Sequence, residues 1–145
     1  MKKRAGKAFL QLLCTLFFST VLILGLQILI EGMYLLGIPR IEEVCKVFVS
    51  YPEVTEEAKI FSDQEHIELA VKLTGFLKYS PFEETKDNAA PMMTITYFLN
   101  NGETVSIAAD RETLWWRGKA HAIKDKEMFI KLAEGIFFLE EVQAP

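Results

Sequence analysis

Four side chains in this sequence have the chemistry of a nucleophile, a general base or a soft metal ligand near neutral pH: Cys14, Cys45, His66 and His121. Their spacing suits shared chemistry poorly. A zinc site draws on local pairs such as Cys-x2-Cys or His-x3-His, and neither occurs, so no metal and no cofactor is expected. Cys14 sits inside a long apolar run. Cys45, flanked by Val44 and Val47 in a β-type segment, reads as a buried free thiol; with His121 as base it is also the starting point for a thiol or cell-wall enzyme. The carboxylates are scattered at solvent-type positions, so no acid–base couple and no catalytic residue is assigned.

The densest unusual feature is Trp115-Trp116-Arg117-Gly118-Lys119. On a strand the two indoles point to opposite faces, which puts one in a core and leaves the other at the surface beside Arg117 or Lys119. An exposed indole with cations nearby suits a sugar ring, an anionic peptide group or a partner helix. Trp115, Trp116, Arg117 and Lys119 are therefore the candidate ligand-binding residues. The competing reading is plain packing, one Trp beneath a helix and the other under the 80–91 loop or near a membrane surface.

These residues must be positioned by what surrounds them, and a membrane comes first. Residues 9–30 carry no charge and follow the basic start MKKRAGK. At about 1.5 Å per residue the run makes a helix of roughly 33 Å, close to the hydrocarbon thickness of a bilayer. The apolar core is longer than that of a cleaved signal peptide and lacks an Ala-x-Ala-like triplet after it, so a retained signal anchor is expected. Leu12 and Leu13 before Cys14 argue against lipidation there, and Gln11 stands where a pilin-like helix would carry Glu. Lys2, Lys3, Arg4 and Lys7 precede the run, and Glu31 follows it, which places the N-terminus in the cytoplasm and the remainder outside. Residues 1–40 hold five Lys or Arg against one acid and the other 105 residues eleven against nineteen, so the net charge of −4 divides into +4 and −8. Such a domain repels nucleic acid, so that class of partner is discarded.

The expected organisation is a basic tail over 1–8, a span over 9–30, an interfacial linker over 31–43 closed by Pro39, and an exported domain over 44–141. Within it, 44–51 reads as a strand ended by Tyr51-Pro52, and 59–61 as a short second one. Ser62 and Glu65 form a capping box for a helix whose inner face carries Ile67, Ala70, Val71, Thr74 and Leu77. Residues 80–91, with two prolines, read as a loop. A hairpin follows, and its register can be set by matching apolar positions. A turn of Asn100, Asn101 and Gly102 pairs Leu99 with Glu103, Tyr97 with Val105, Ile95 with Ile107 and Met93 with Ala109. Strands over 113–117 and 120–123 meet near Gly118, and Asp125 caps a last helix with Met128, Phe129, Leu132, Ala133, Ile136 and Leu139 inward, widened by Phe137 and Phe138. The fold class is α+β: an N-terminal transmembrane helix, then a small antiparallel sheet with two packed helices.

This layout, with its Asn101-Gly102 hairpin, Gly118-Lys119-x-His121-x-Ile123 strand and closing helix, resembles small exported domains of uncharacterised single-span proteins and lipoproteins of Gram-positive bacteria. The resemblance covers residues 44–139 and implies fold and location alone. The expected function is binding or sensing at the outer membrane–water boundary, with the bilayer itself and an envelope or membrane protein as partners. The alternatives are an anchored enzyme built on Cys45 or His121, and an accessory subunit of a membrane assembly, pilin-like assemblies included.

Overall fold

The computed structural model describes residues 2–85 and 90–143, residues 2–5 by backbone alone. The uncharged run forms helix α1, Lys2–Glu31, of which Gly6–Glu31 is long and apolar enough to cross a membrane. Its Leu, Ile, Val and Phe side chains are exposed on every side, a distribution that suits lipid rather than a one-faced protein contact. The two threonines are satisfied within the helix: Thr15 and Thr20 donate to the Gln11 and Leu16 carbonyls at 2.9 and 2.8 Å. Gly32, at φ +80°, ends it.

The chain divides into two compact units, Met1–Gly32 and Met33–Pro145. In the second, β1 (Met33–Tyr34) and a 3-10 turn (Ile41–Glu43) precede β2 (Val44–Ser50), β3 (Lys59–Phe61) and helix α2 (Gln64–Gly75). Then come β4 (Lys78–Glu84), β5 (Met93–Leu99), β6 (Thr104–Ala109), β7 (Thr113–Trp116), β8 (Lys119–Ile123), α3 (Met128–Phe137) and a short α4 (Leu139–Val142). The strands make one antiparallel sheet in the order β1-β4-β8-β7-β6-β5-β2-β3, so the domain is α+β as expected. The β5–β6 pairs are Met93–Ala109, Ile95–Ile107 and Tyr97–Val105, the register that apolar matching favours.

Alternation puts Val47, Val49, Ile95, Tyr97, Ile107, Ala109 and Leu114 on one face, nearly inaccessible to water. Helices α2 and α3 cover this face. Burying each Val, Ile or Leu there contributes about 1.5–3 kcal/mol. Tyr97 also carries a hydroxyl into the core; it donates to the Ala70 carbonyl of α2 at 2.8 Å and lies 2.9 Å from Thr74 Oγ1. Burial holds the Tyr97 phenol well above its ordinary range, so it stays a donor.

Four local expectations are corrected. Residues 33–43 are not a simple linker: Met33 and Tyr34 pair with Tyr79 and Lys78 at the sheet edge, and Asn100 donates to the Glu43 and Glu42 carbonyls. The loop expected from residue 80 begins only after Glu84. Pro81 is tolerated in β4 because the ladder to β8 is interrupted between Tyr79–Ile123 and Glu84–His121; residues 86–89 of that loop lie outside the described residues. The cap of α2 is Asp63, not Ser62: its carboxylate accepts from the His66 amide at 3.0 Å, and Leu73 joins the inner face. Helix α3 is not capped by Asp125; it begins after Glu127, which sits at φ +63° with its amide bound to the Arg111 carbonyl. Its inward side chains are Phe129, Ile130, Ala133 and Phe137, whereas Met128 and Leu132 are exposed, as is Leu139, which opens α4.

Gly102 has φ +86°, and its amide closes the turn onto the Leu99 carbonyl at 3.0 Å. An added Cβ there meets no atom, so the cost of a side chain is purely that of the backbone conformation. Gly102→Val is expected to destabilise the domain by about 1–2 kcal/mol; thermal denaturation checks this, and an unchanged midpoint contradicts it.

Candidate functional site

The β7–β8 hairpin turns on Arg117 and Gly118, both at positive φ, +50° and +76°. A two-residue turn of this hand matches the twist of its strands and fixes which way each indole points. Trp116 faces the helices and is 7% exposed, while Trp115 is half-buried on the opposite face. The Arg117 guanidinium lies over the Trp116 ring, 5.3 Å from its centroid, and occupies the space beside Gly37 where a Cβ would collide with it. Lys119 turns to Glu84, with Nζ 3.1 Å from Oε1. The four candidate residues are thus neighbours in sequence but do not converge. Trp116 and Arg117 close one side of the sheet, Lys119 is paired at the surface, and Trp115 alone faces the other side.

That other side is the more open one. Trp115 stands between Ala108 and Ala120 on the flanking strands, so no large cross-strand neighbour crowds the indole. Farther along the same face Phe48 and Phe98 pack with ring centroids 4.6 Å apart, and Lys46 Nζ lies 4.7 and 5.3 Å from the Phe98 and Phe48 rings. The Thr96 and Ser106 hydroxyls, 2.9 Å apart, lie across β5 and β6 on this face. The result is an aromatic and hydroxyl-bearing surface with the Lys46 ammonium over its phenyl rings. It can stack and hydrogen-bond, and among the described residues no nucleophile is aligned with a base there.

Cys45 is not buried. It is the extra residue of a β-bulge: Val44 pairs with Leu99 and Lys46 with Phe98, which leaves Cys45 unpaired and exposed, its Sγ 3.2 Å from the Phe98 carbonyl. The bulge lets Val44 and Val47 both face inward, although their spacing would otherwise put them on opposite faces. His121 lies on the helix side, 8% exposed beside the Tyr79 ring at 4.8 Å, and among the described residues its Nδ1 has no hydrogen-bond partner. Strands β7, β6 and β5 stand between β8 and β2, a separation of roughly 19 Å, so Cys45 and His121 do not form a couple. His66 is absorbed by the start of α2. Its Nδ1 lies 2.6 Å from Asp63 Oδ2, its ring stacks on Phe61 at 4.5 Å, and this bond holds the Asp63 carboxyl below its ordinary range. Among the described residues no three His, Cys, Asp or Glu side chains gather as metal ligands.

Two features lie outside the sequence expectations. Tyr51, read as a strand terminator, donates to Glu134 Oε1 at 2.7 Å and meets Phe138 edge-on at 5.5 Å. The partners are 83 residues apart, and no local pattern announces the pair. Burial, then the hydrogen bond to Glu134 and its charge, push the Tyr51 phenol up to about 12. Between α2 and α3 runs an apolar groove with Leu73, Leu77 and Phe129 inside and Phe76, Met128 and Leu132 at its rim. The exposed phase of α3 is the cause: Met128 and Leu132 recur at helical spacing as the sequence suggests, but they border a groove instead of filling a core.

No family model, curated protein or solved structure matches this chain.

Because the folded phenol of Tyr51 titrates above its unfolded value, near 10, its contribution to stability is complete below pH 10 and is lost as pH rises toward 12. Urea denaturation of the wild type and Tyr51→Phe should show the largest difference below pH 10 and a vanishing one near pH 12. A difference that does not change with pH contradicts the assignment.

Proposed function

We propose that this chain is a single-pass membrane protein, N-terminus cytoplasmic and the domain from Met33 outside, that binds an envelope or membrane protein partner through the open face of its sheet. The observation that carries this reading is the one-sided covering of the sheet, which leaves Trp115 between two alanines on a half-buried aromatic surface. Such a surface is suited to recognition rather than to bond making. A helix long and apolar enough to cross a membrane precedes it, and confinement to the membrane plane raises the effective concentration of a weak binding surface toward membrane partners. The basic start and acidic remainder support the orientation. The separation of Cys45 from His121 gives the enzyme reading less support.

Orientation is tested with the exposed native thiol of Cys45. In right-side-out membrane vesicles a membrane-impermeant maleimide should label it at once; labelling only after permeabilisation reverses the topology. Binding is tested with a photo-crosslinking residue in place of Ser106 in intact cells. A discrete adduct is expected, and Trp115→Ala should abolish it while lowering stability by only about 1 kcal/mol. Adducts that survive Trp115→Ala, or that arise only from positions in α1, would reject the open face as the binding surface.

A further inference from the structure

We propose that the hollow between β4 and β8 is a binding site for a neutral saccharide of one or two pyranose rings. This goes beyond the protein surface described above and needs neither that partner nor the span. The backbone makes the hollow. Strand β4 is tied to β8 at Tyr79–Ile123 and again at Glu84–His121, five residues later on β4 but only two along β8, so the stretch between bows away. Main-chain bonds fix both ends: the Lys124 amide donates to the Lys78 carbonyl at 3.0 Å, and the Thr85 amide to the Ala120 carbonyl at 3.1 Å. The space left beside β7 is a cavity of about 580 Å³, within the roughly 300–1,000 Å³ of small-molecule sites.

The wall chemistry points to the ligand. Three hydroxyl residues line the cavity, and two of them are nearly inaccessible: Thr113 is 2% exposed and Ser80 7%. On the third, Thr85, Oγ1 is closed to water and has no hydrogen-bond partner among the described residues, a costly state that a ligand reached by one χ1 turn would relieve. The charged wall residues balance, two acids, Glu83 and Glu112, against two bases, Lys124 and Lys126, and Lys126 Nζ lies 3.2 Å from Glu112 Oε1. Such a wall has no net attraction for a phosphate or a polyamine, yet it supplies donors and acceptors together, and hydrogen bonds from charged groups are among the stronger ones. A polyol, each of whose hydroxyls both donates and accepts, answers that mixture. Trp115 makes the polyol a ring. It follows Thr113 by two residues on the same face of β7, about 7 Å along the strand, and its half-buried indole offers a stacking surface to the C–H face of a pyranose.

The test uses the full chain in phosphatidylcholine nanodiscs, since alkyl-glycoside detergents would themselves present sugar headgroups. Glucose, N-acetylglucosamine, maltose and cellobiose are the neutral probes, glycerol phosphate and glycine the anionic and zwitterionic ones, and binding is read by ligand-observed saturation-transfer NMR. At least one neutral saccharide should saturate at millimolar concentration. Thr113→Val and Glu112→Gln should each weaken it about fivefold or more, while Ile60→Ser, on β3 at the far edge of the sheet, leaves it unchanged. If near-ultraviolet circular dichroism shows that Thr113→Val does not fold, Glu112→Gln and Lys126→Met, both at exposed side chains, carry the same expectation. Failure of every neutral saccharide to bind overturns the proposal. So does binding that survives these wall substitutions undiminished, which places the sugar elsewhere, and so does a preference for glycerol phosphate or glycine over all four sugars.

Discussion

The hydroxyl of Tyr97 is the contact on which the domain's arrangement turns. It is carried into the core on β5 and finds its partners only in α2, at the Ala70 carbonyl and the Thr74 hydroxyl. Leaving such a group unpaired in an apolar interior costs about 1–3 kcal/mol, so the helix is held at one place and one rotation over the sheet. Everything on that side is set accordingly. Leu73 and Thr74 face inward, Phe76 does not, and α3 packs alongside with a groove left between the two helices. Since both helices cover one face, the opposite face keeps its half-buried aromatic and hydroxyl residues.

Local patterns were legible where one periodicity dominated. The uncharged run, the β5–β6 register and the split of the two indoles follow from composition, from alternation and from Gly102. Strand β4 was not legible, because Pro81 and two glutamates resemble a loop and the broken ladder that accommodates them exists only in three dimensions. Ser62 and Asp63 are both good caps, and only the fold decides between neighbours. For α3 the inward turn of Phe129, Ala133 and Phe137 was legible, but the inner face is rotated toward Ile130, so Met128 and Leu132 border the groove.

The candidate site was legible as residues but not as a place. Alternation correctly divides Trp115 from Trp116, yet which one meets the helices depends on the pairing of β7 with β6. Cys45 was misread because its burial was inferred from its flanks, whereas an extra residue in β2 changes the parity at that point. That same irregularity lets Val44 and Val47 share a face. The Tyr51–Glu134 bond joins the end of β2 to α3 and leaves no trace in either segment alone.

The two-residue strand β1 also has a mechanical meaning. It is the first part of the domain to receive any pull transmitted from α1 through Gly32, and it is held to the sheet by only two residue pairs. Behind it, Asn100 grips the Glu42 and Glu43 carbonyls, ahead of the long β2–β5 ladder. Load therefore meets a short edge first, a loop clasp second and the hydrophobic centre last. The segment between the first two is itself packed, with Leu35 and Pro39 buried, so it lengthens only after those contacts are given up.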